Sequence, residues 1–126
     1  MPNDGQQSIP AWYSDAQTPM HLQGSHARAM ERSRALHVAV AACIEADPSL
    51  IGTAKARVTQ WLRDGSTPKA YALAWLELLD HPPAVLVEQL GARTERMHEL
   101  RQVSPFAGVL SPQERWRIHK EAGTAE

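Results

Sequence analysis

Cysteine and long apolar runs are scarce in this sequence. Its one cysteine, Cys43, excludes an internal disulfide. The longest apolar window, "ALHVAVAACIEA" (residues 35–46), is interrupted by His37 and Glu45 and falls short of the ~20 residues that a membrane span requires. No stretch has the basic, apolar and small-residue order of a secretory signal. We therefore expect a cytoplasmic chain that has no membrane partner.

An excess of charge of either sign is also missing. Thirteen Lys and Arg residues face fourteen Asp and Glu residues, which gives a formal net charge of −1. A chain so balanced has no overall electrostatic footprint for nucleic acid, so any such binding must come from a local patch. With 126 residues, 43% of them hydrophobic, the chain has room for one domain with a single modest core.

Residues 1–24 carry three prolines and two glycines and have no hydrophobic period of 3.6 or 2 residues. This composition predicts a flexible, disordered N-terminal arm. The arm nevertheless contains Trp12 and Tyr13 side by side, followed by Met20 and Leu22. These four residues are candidates for contact with a partner, although a packing strap or an expression scar also explains them.

From Ser25 onward, apolar residues recur at helical spacing. The expected helices cover residues 25–46, 50–64, a third segment opening at Thr67-Pro68, 81–91, 92–102 and a last one opening at Ser111. The third, "AYALAWLELL", is apolar nearly all round and so predicts a central helix. The fifth is strongly charged, with Met97 and Leu100 as its only large apolar contacts, and predicts a surface helix. The sequence thus predicts an all-α domain, a compact bundle of about five to six short helices over residues 25–122, with a disordered tail at 123–126.

Two Ser-Pro pairs precede the last helix. Ser111-Pro112-Gln113-Glu114 has the spacing of a capping box, in which the Ser111 hydroxyl and the Glu114 carboxylate each accept from the other residue's amide. Ser104-Pro105 predicts a tight turn. The segment between them offers three apolar residues, and Trp116 follows it. We take Phe106, Val109, Leu110 and Trp116 as further candidates for partner binding; the alternative is that Phe106 and Trp116 close the bottom of the core.

Motifs that carry chemistry are missing. His98-Glu99 begins like a zinc-protease pattern, but Gln102 stands where the second histidine is required. The six histidines show no ligand spacing, and surface or capping roles are expected for them. Cys43 falls on the apolar stripe of the first helix, which indicates a packing role. We expect no catalytic residue, metal or cofactor; a small enzyme built from scattered carboxylates stays an alternative.

A DNA-binding protein is the other alternative. The second and third helices and the turn at Gly65 have the outline of a helix-turn-helix, but a recognition helix must present polar side chains to the bases. The third helix offers only Lys69, so we interpret the pair as a packing hairpin. Two arginine groups remain as phosphate-binding candidates, and glutamates interleave with both as on a solvated face. They are Arg28, Arg32 and Arg34 with His26 in the first helix, or Arg93, Arg96 and Arg101 with Arg115, Arg117 and Lys120.

Three runs carry a resemblance to known proteins: "RSRALHVAVAACIEADPSLI", "AWLELLDHP" and "LRQVSPFAGVLSPQERWRI". Over roughly residues 31–119 the chain resembles a group of small, mostly uncharacterised, all-helical bacterial proteins of toxin-antitoxin type gene pairs. The resemblance implies a partner-binding protein that neutralises or regulates a toxin, and it transfers no site residues. Our leading hypothesis is therefore a non-enzymatic, antitoxin-like protein-binding module.

Overall fold

The computed structural model describes the backbone of residues 20–124 and the side chains of residues 26–122. Over this range the backbone forms helices joined by turns, with no strand. The helices are α1 (Met20–Ala46), α2 (Ser49–Asp64), α3 (Lys69–Leu79), α4 (Pro83–Leu90), α5 (Glu95–Leu100), a short 3-10 turn (Arg101–Val103) and α6 (Pro112–Thr124). The predicted all-α bundle is confirmed.

Helix α1 begins five residues before the predicted start at Ser25 and has 27 residues, a length of about 40 Å. No proline interrupts this stretch, and one glycine inside a helix costs only about 1 kcal/mol, so the backbone continues through Gly24. The rest of the predicted arm, residues 1–19, lies outside the described residues. At the other end α6 continues to Thr124, past the predicted start of the tail, and only residues 125–126 lie beyond it.

Helix α1 packs against α6, α4 and α2 and so connects the two ends of the domain. Its most buried side chains are His37, Val40, Ala41 and Ile44, which recur three and four residues apart. The buried face thus includes a histidine. Cys43 is half-buried beside the core, in agreement with a packing role.

Helix α3 packs against α2, α4 and α5, but it is not buried all round as its apolar sequence predicts, because Leu73 is 48% exposed. Ala72, Trp75, Leu78 and Leu79 are all buried, and Trp75 has no exposed surface. The Trp75 indole donates through Nε1 to the carbonyl oxygen of Leu100 at 3.2 Å, so its one polar atom is satisfied inside the core.

The fifth predicted helix exposes charged residues such as Glu95 and Arg96 and buries its two large apolar residues, as its sequence predicts. Met97 and Leu100 are only 2% exposed each, and Arg101 directly after them is 3% exposed. Helix α5 has only six residues, with Thr94 as its N-cap accepting from the Met97 amide at 3.2 Å. These two large apolar side chains attach the short helix to α3.

The helix ends follow local chemistry in most places. Gly65 ends α2 in the left-handed conformation at φ 70°, which glycine adopts without strain. The capping box is present, with the Ser111 amide 2.9 Å from Glu114 Oε1 and the Glu114 amide 3.1 Å from Ser111 Oγ. Thr67, in contrast, does not cap α3: Pro68 stands before the helix at ψ 135°, so the last non-helical residue is the proline itself.

Candidate functional site

The segment between the 3-10 turn and α6, residues 104–110, folds inward. Phe106 is 5% and Leu110 is 7% exposed, and the Phe106 ring meets Trp75 edge-on with 5.8 Å between centroids. Val109 is half-buried against the same core. The expectation that this segment presents Phe106 and Leu110 to a partner is therefore corrected: these side chains close the core, which was the alternative interpretation for Phe106.

Hydrogen bonds hold this segment to the helices around it. Arg57 of α2 donates through Nη1 to the carbonyl oxygens of Pro105 at 3.1 Å and Ala107 at 2.8 Å. The chain then reverses at Gly108, whose φ of 88° only glycine adopts easily. Residues 104–110 are thus fixed to the rest of the domain by the Arg57 hydrogen bonds, the turn at Gly108 and the buried Phe106 ring.

A buried polar pair joins the segment to α1. His37 is 6% exposed; its Nδ1 lies 2.8 Å from the Ser33 carbonyl oxygen and its Nε2 lies 2.7 Å from Ser104 Oγ. A carbonyl only accepts, so we assign the proton to Nδ1, which leaves Nε2 to accept from the Ser104 hydroxyl. The expectation that every histidine has a surface or capping role is thus wrong for His37.

The environment of His37 keeps its imidazole neutral. Burial lowers the pKa of His37 below its ordinary value, the hydrogen bond to Ser33 opposes that change, and the positive charge of Arg101 adds to it. His37 and Ser104 line a cleft of about 220 Å³ that also has Arg101 and Arg115 on its walls.

The serine and histidine have the arrangement of a nucleophile and its base, but two features work against catalysis. The Ser104 hydroxyl also accepts from the Phe106 amide at 3.2 Å, which draws electron density from the oxygen. The other side of the imidazole meets a backbone carbonyl, where serine hydrolases often place a carboxylate. The hydrogen bond between Ser104 and neutral His37 can instead join the 104–110 segment to α1.

Helix α6 carries the most exposed large hydrophobic side chain among the described residues. Trp116 is 66% exposed, and the Lys120 ammonium lies 5.0 Å from the centre of its ring. Beside the ring is a hollow of about 290 Å³ lined by Pro112, Arg115, Trp116 and His119. The other side of α6 packs on α1, with Ile118 against the core and Ala122 buried, so the tryptophan lies on the outer face of a packed helix.

The remaining partner-binding candidates lie at the N-terminus. Trp12 and Tyr13 lie outside the described residues, and so do the side chains of Met20 and Leu22, whose backbone belongs to the first turn of α1. Of the eight candidates, Trp116 is the one with a large exposed surface in the described part of the chain.

The arginine candidates do not form one exposed stripe. Arg34 donates through Nε to the Gly91 carbonyl oxygen at 2.9 Å and pairs with Glu31 at 3.3 Å. Arg101 is buried and donates to backbone carbonyls. Arg28 and Arg32 are half-buried on α1. The fold itself therefore uses Arg34 and Arg101, and sequence reasoning missed this because each lies in a stretch that also carries several other charged residues.

Neither metal sites nor membrane spans are found in the part of the chain that the structure describes. No three histidine, cysteine or acidic side chains gather closely enough there to hold a metal ion. None of the helices from residue 20 to residue 124 combines the length and the apolar character needed to cross a bilayer.

No family model, curated protein or solved structure matches this chain.

Proposed function

We propose that this protein is a cytoplasmic, non-enzymatic module that binds a partner protein through the outer face of α6. The observation that carries the proposal is the exposure of Trp116, 66% of its surface, on a helix whose other side packs against α1. Tryptophan is the residue type most enriched among interface hot spots, since one side chain offers a large rigid apolar surface and a polar N–H.

The charges beside Trp116 indicate the chemistry of the partner. Arg115 lines the hollow beside the ring and Lys120 lies 5.0 Å from its centre, while the Glu114 carboxylate is directed back to the Ser111 amide. We infer a partner surface in which an apolar pocket receives the indole and carboxylates surround that pocket. Through the resemblance described above, the proposal extends to an antitoxin-like role, with a toxin encoded nearby as the partner.

A pair of matched variants tests the proposal. Trp116→Ala removes the exposed indole, and Leu73→Ala removes an exposed apolar side chain, 48% exposed, from α3. A partner captured from the native cell and then purified should bind Trp116→Ala roughly thirtyfold more weakly than the wild type, as expected for a hot spot of about 2 kcal/mol. Leu73→Ala should bind as the wild type does. Equal binding by all three proteins contradicts the proposal.

A serine hydrolase is the second candidate, favoured by the 2.7 Å contact between Ser104 Oγ and His37 Nε2 in the cleft. A fluorophosphonate reagent, which labels activated serines, distinguishes the two functions. We expect no label, because the Phe106 amide occupies the hydroxyl oxygen. A label that Ser104→Ala abolishes would establish a hydrolase and overturn the non-enzymatic proposal.

The DNA-binding alternative is less well supported than its sequence pattern indicates. Two of its candidate residues, Arg34 and Arg101, already form hydrogen bonds within the fold. It predicts binding that falls steeply with salt, because each phosphate contact releases a counterion. Binding through Trp116 should fall less steeply over the same range, because salt screens only the charged rim of such a contact.

A further inference from the structure

Two buried nitrogen atoms lack hydrogen-bond partners, and their side chains line the same cavity. Among the described residues, Arg101 Nε and His26 Nε2 are the buried side-chain nitrogen or oxygen atoms without a partner. The cavity has a volume of about 350 Å³ and is enclosed by the N-terminal part of α1 on one side and by α5 with the 3-10 turn on the other. Its lining consists of His26, Ala29, Met30, Ser33, His98, Arg101 and Gln102.

The charge of Arg101 has no carboxylate partner. Its Nη1 donates to the carbonyl oxygens of Leu90 at 3.0 Å and Ala92 at 2.9 Å, and its Nη2 donates to His98 Nδ1 at 2.9 Å. All three acceptors are neutral, while the residue is only 3% exposed. A buried cation surrounded by neutral acceptors is costly, and native proteins usually give such a group an anion.

The charged groups around the cavity add to this excess of positive charge. Arg34 and Arg93 lie near Arg101 and disfavour its charged form, and burial with these neighbours lowers the pKa of Arg101 to about 10. The nearby carboxylate is Glu31, which already pairs with Arg34 at 3.3 Å and with Arg93 at 3.0 Å. One carboxylate shared among three guanidinium groups leaves this end of α1 positive.

We propose that this cavity binds a small oxyanion, the phosphate or carboxylate group of a small molecule. An oxyanion is an acceptor without donors, so it matches the Nε–H of Arg101 and a protonated Nε2 of His26. An oxyanion also brings a negative charge, which a water molecule at the same position would not. The volume falls within the range of small-ligand pockets, and Ala29 and Met30 provide an apolar wall for the rest of the ligand. The proposal does not depend on the Trp116 surface.

The test uses NMR of the full chain and follows the Nε–H resonance of Arg101, assigned by through-bond correlation to its own backbone. Sodium phosphate and sodium acetate are titrated separately, each against sodium chloride at the same ionic strength. We expect a saturable shift with at least one of the two, and the stronger one identifies the preferred anion. Shifts that never saturate, or that chloride reproduces, overturn the proposal.

A pair of histidine variants keeps the buried arginine intact. His26→Ala removes the second donor, and we expect it to weaken binding of the preferred anion roughly tenfold, the usual effect of losing a hydrogen bond to a charged group. His81→Ala, at an exposed position after α3, is the matched control and should bind as the wild type does. Wild-type affinity in His26→Ala would also overturn the proposal.

Discussion

The Ser104 hydroxyl connects two separated parts of the chain. It donates to His37 of α1 and accepts from the Phe106 amide, two residues further on. Removing it leaves a buried imidazole nitrogen and a backbone amide without their partner. Ser104→Ala should therefore lower the free energy of unfolding by about 1–3 kcal/mol, measured by urea denaturation.

The control for Ser104→Ala is Thr53→Ala, which removes an exposed hydroxyl from the middle of α2. This variant should be as stable as the wild type or slightly more stable, since alanine is the better helix former. Equal stability of Ser104→Ala and the wild type would show that the contact to His37 contributes nothing.

His37 makes stability depend on pH. Burial lowers its pKa in the folded protein below the value of the unfolded chain, so the unfolded chain takes up a proton first as the pH falls. The stability due to neutral His37 is thus complete above about pH 6.5 and is lost as the pH falls towards the folded pKa. The imidazole resonance of His37 should titrate with a midpoint below about 6.5. A midpoint at or above that value contradicts the assigned neutral state.

Sequence alone reveals only part of these residue-scale features. His37 lies three residues before Val40 and four before Ala41, so a stripe drawn through the buried residues would have included it. Ser104 lies 67 residues from His37, and no local pattern indicates that the two meet. The Arg101 contacts are equally hidden, because a run of charged residues predicts solvent exposure.

At the scale of elements, the 104–110 segment and α6 have opposite roles although both carry aromatic residues. Phe106 packs edge-on against Trp75, whereas Trp116 is two-thirds exposed. Phe106→Ala should lower the free energy of unfolding by about 3–5 kcal/mol, the usual cost of removing a core aromatic. Trp116→Ala should change it by no more than about 0.5 kcal/mol. A reversal of this order in thermal or urea unfolding would contradict the assignment of the core and the surface.

The start of α6 depends on its capping box. Ser111→Ala removes the hydroxyl that accepts from the Glu114 amide, and it should lower the free energy of unfolding by about 0.5–2 kcal/mol. Ser111→Asp retains a capping acceptor and should recover most of the loss, which urea denaturation of the two variants checks. If Ser111→Asp is no more stable than Ser111→Ala, the hydroxyl is not acting as a cap.

Local signals predict these elements better than they predict how the elements pack. The glycine at 65 and the serine at 111 act within four residues of their own position, so their roles follow from spacing. The site at which α5 packs is not visible locally, because its contact is with α3: the Trp75 indole donates to the Leu100 carbonyl oxygen across 25 positions.

At the scale of the whole molecule, α1 carries separate features along its length. Its N-terminal part lines the cavity beside Arg101, its middle contributes His37 to the cleft, and it packs against α6, which presents Trp116. We expect an anion in the cavity beside Arg101 and a partner protein at Trp116 to bind independently of each other. Phosphate or acetate should therefore leave the partner's affinity unchanged.

The most direct test of the binding proposal is site-specific photo-crosslinking in the native cell. A photoreactive residue at position 116 should give one discrete crosslinked product that excess untagged wild-type protein removes. The same residue at position 73, exposed on α3, should give none. A product at 73 but not at 116, or none at either position, would contradict the claim that the outer face of α6 is the binding surface.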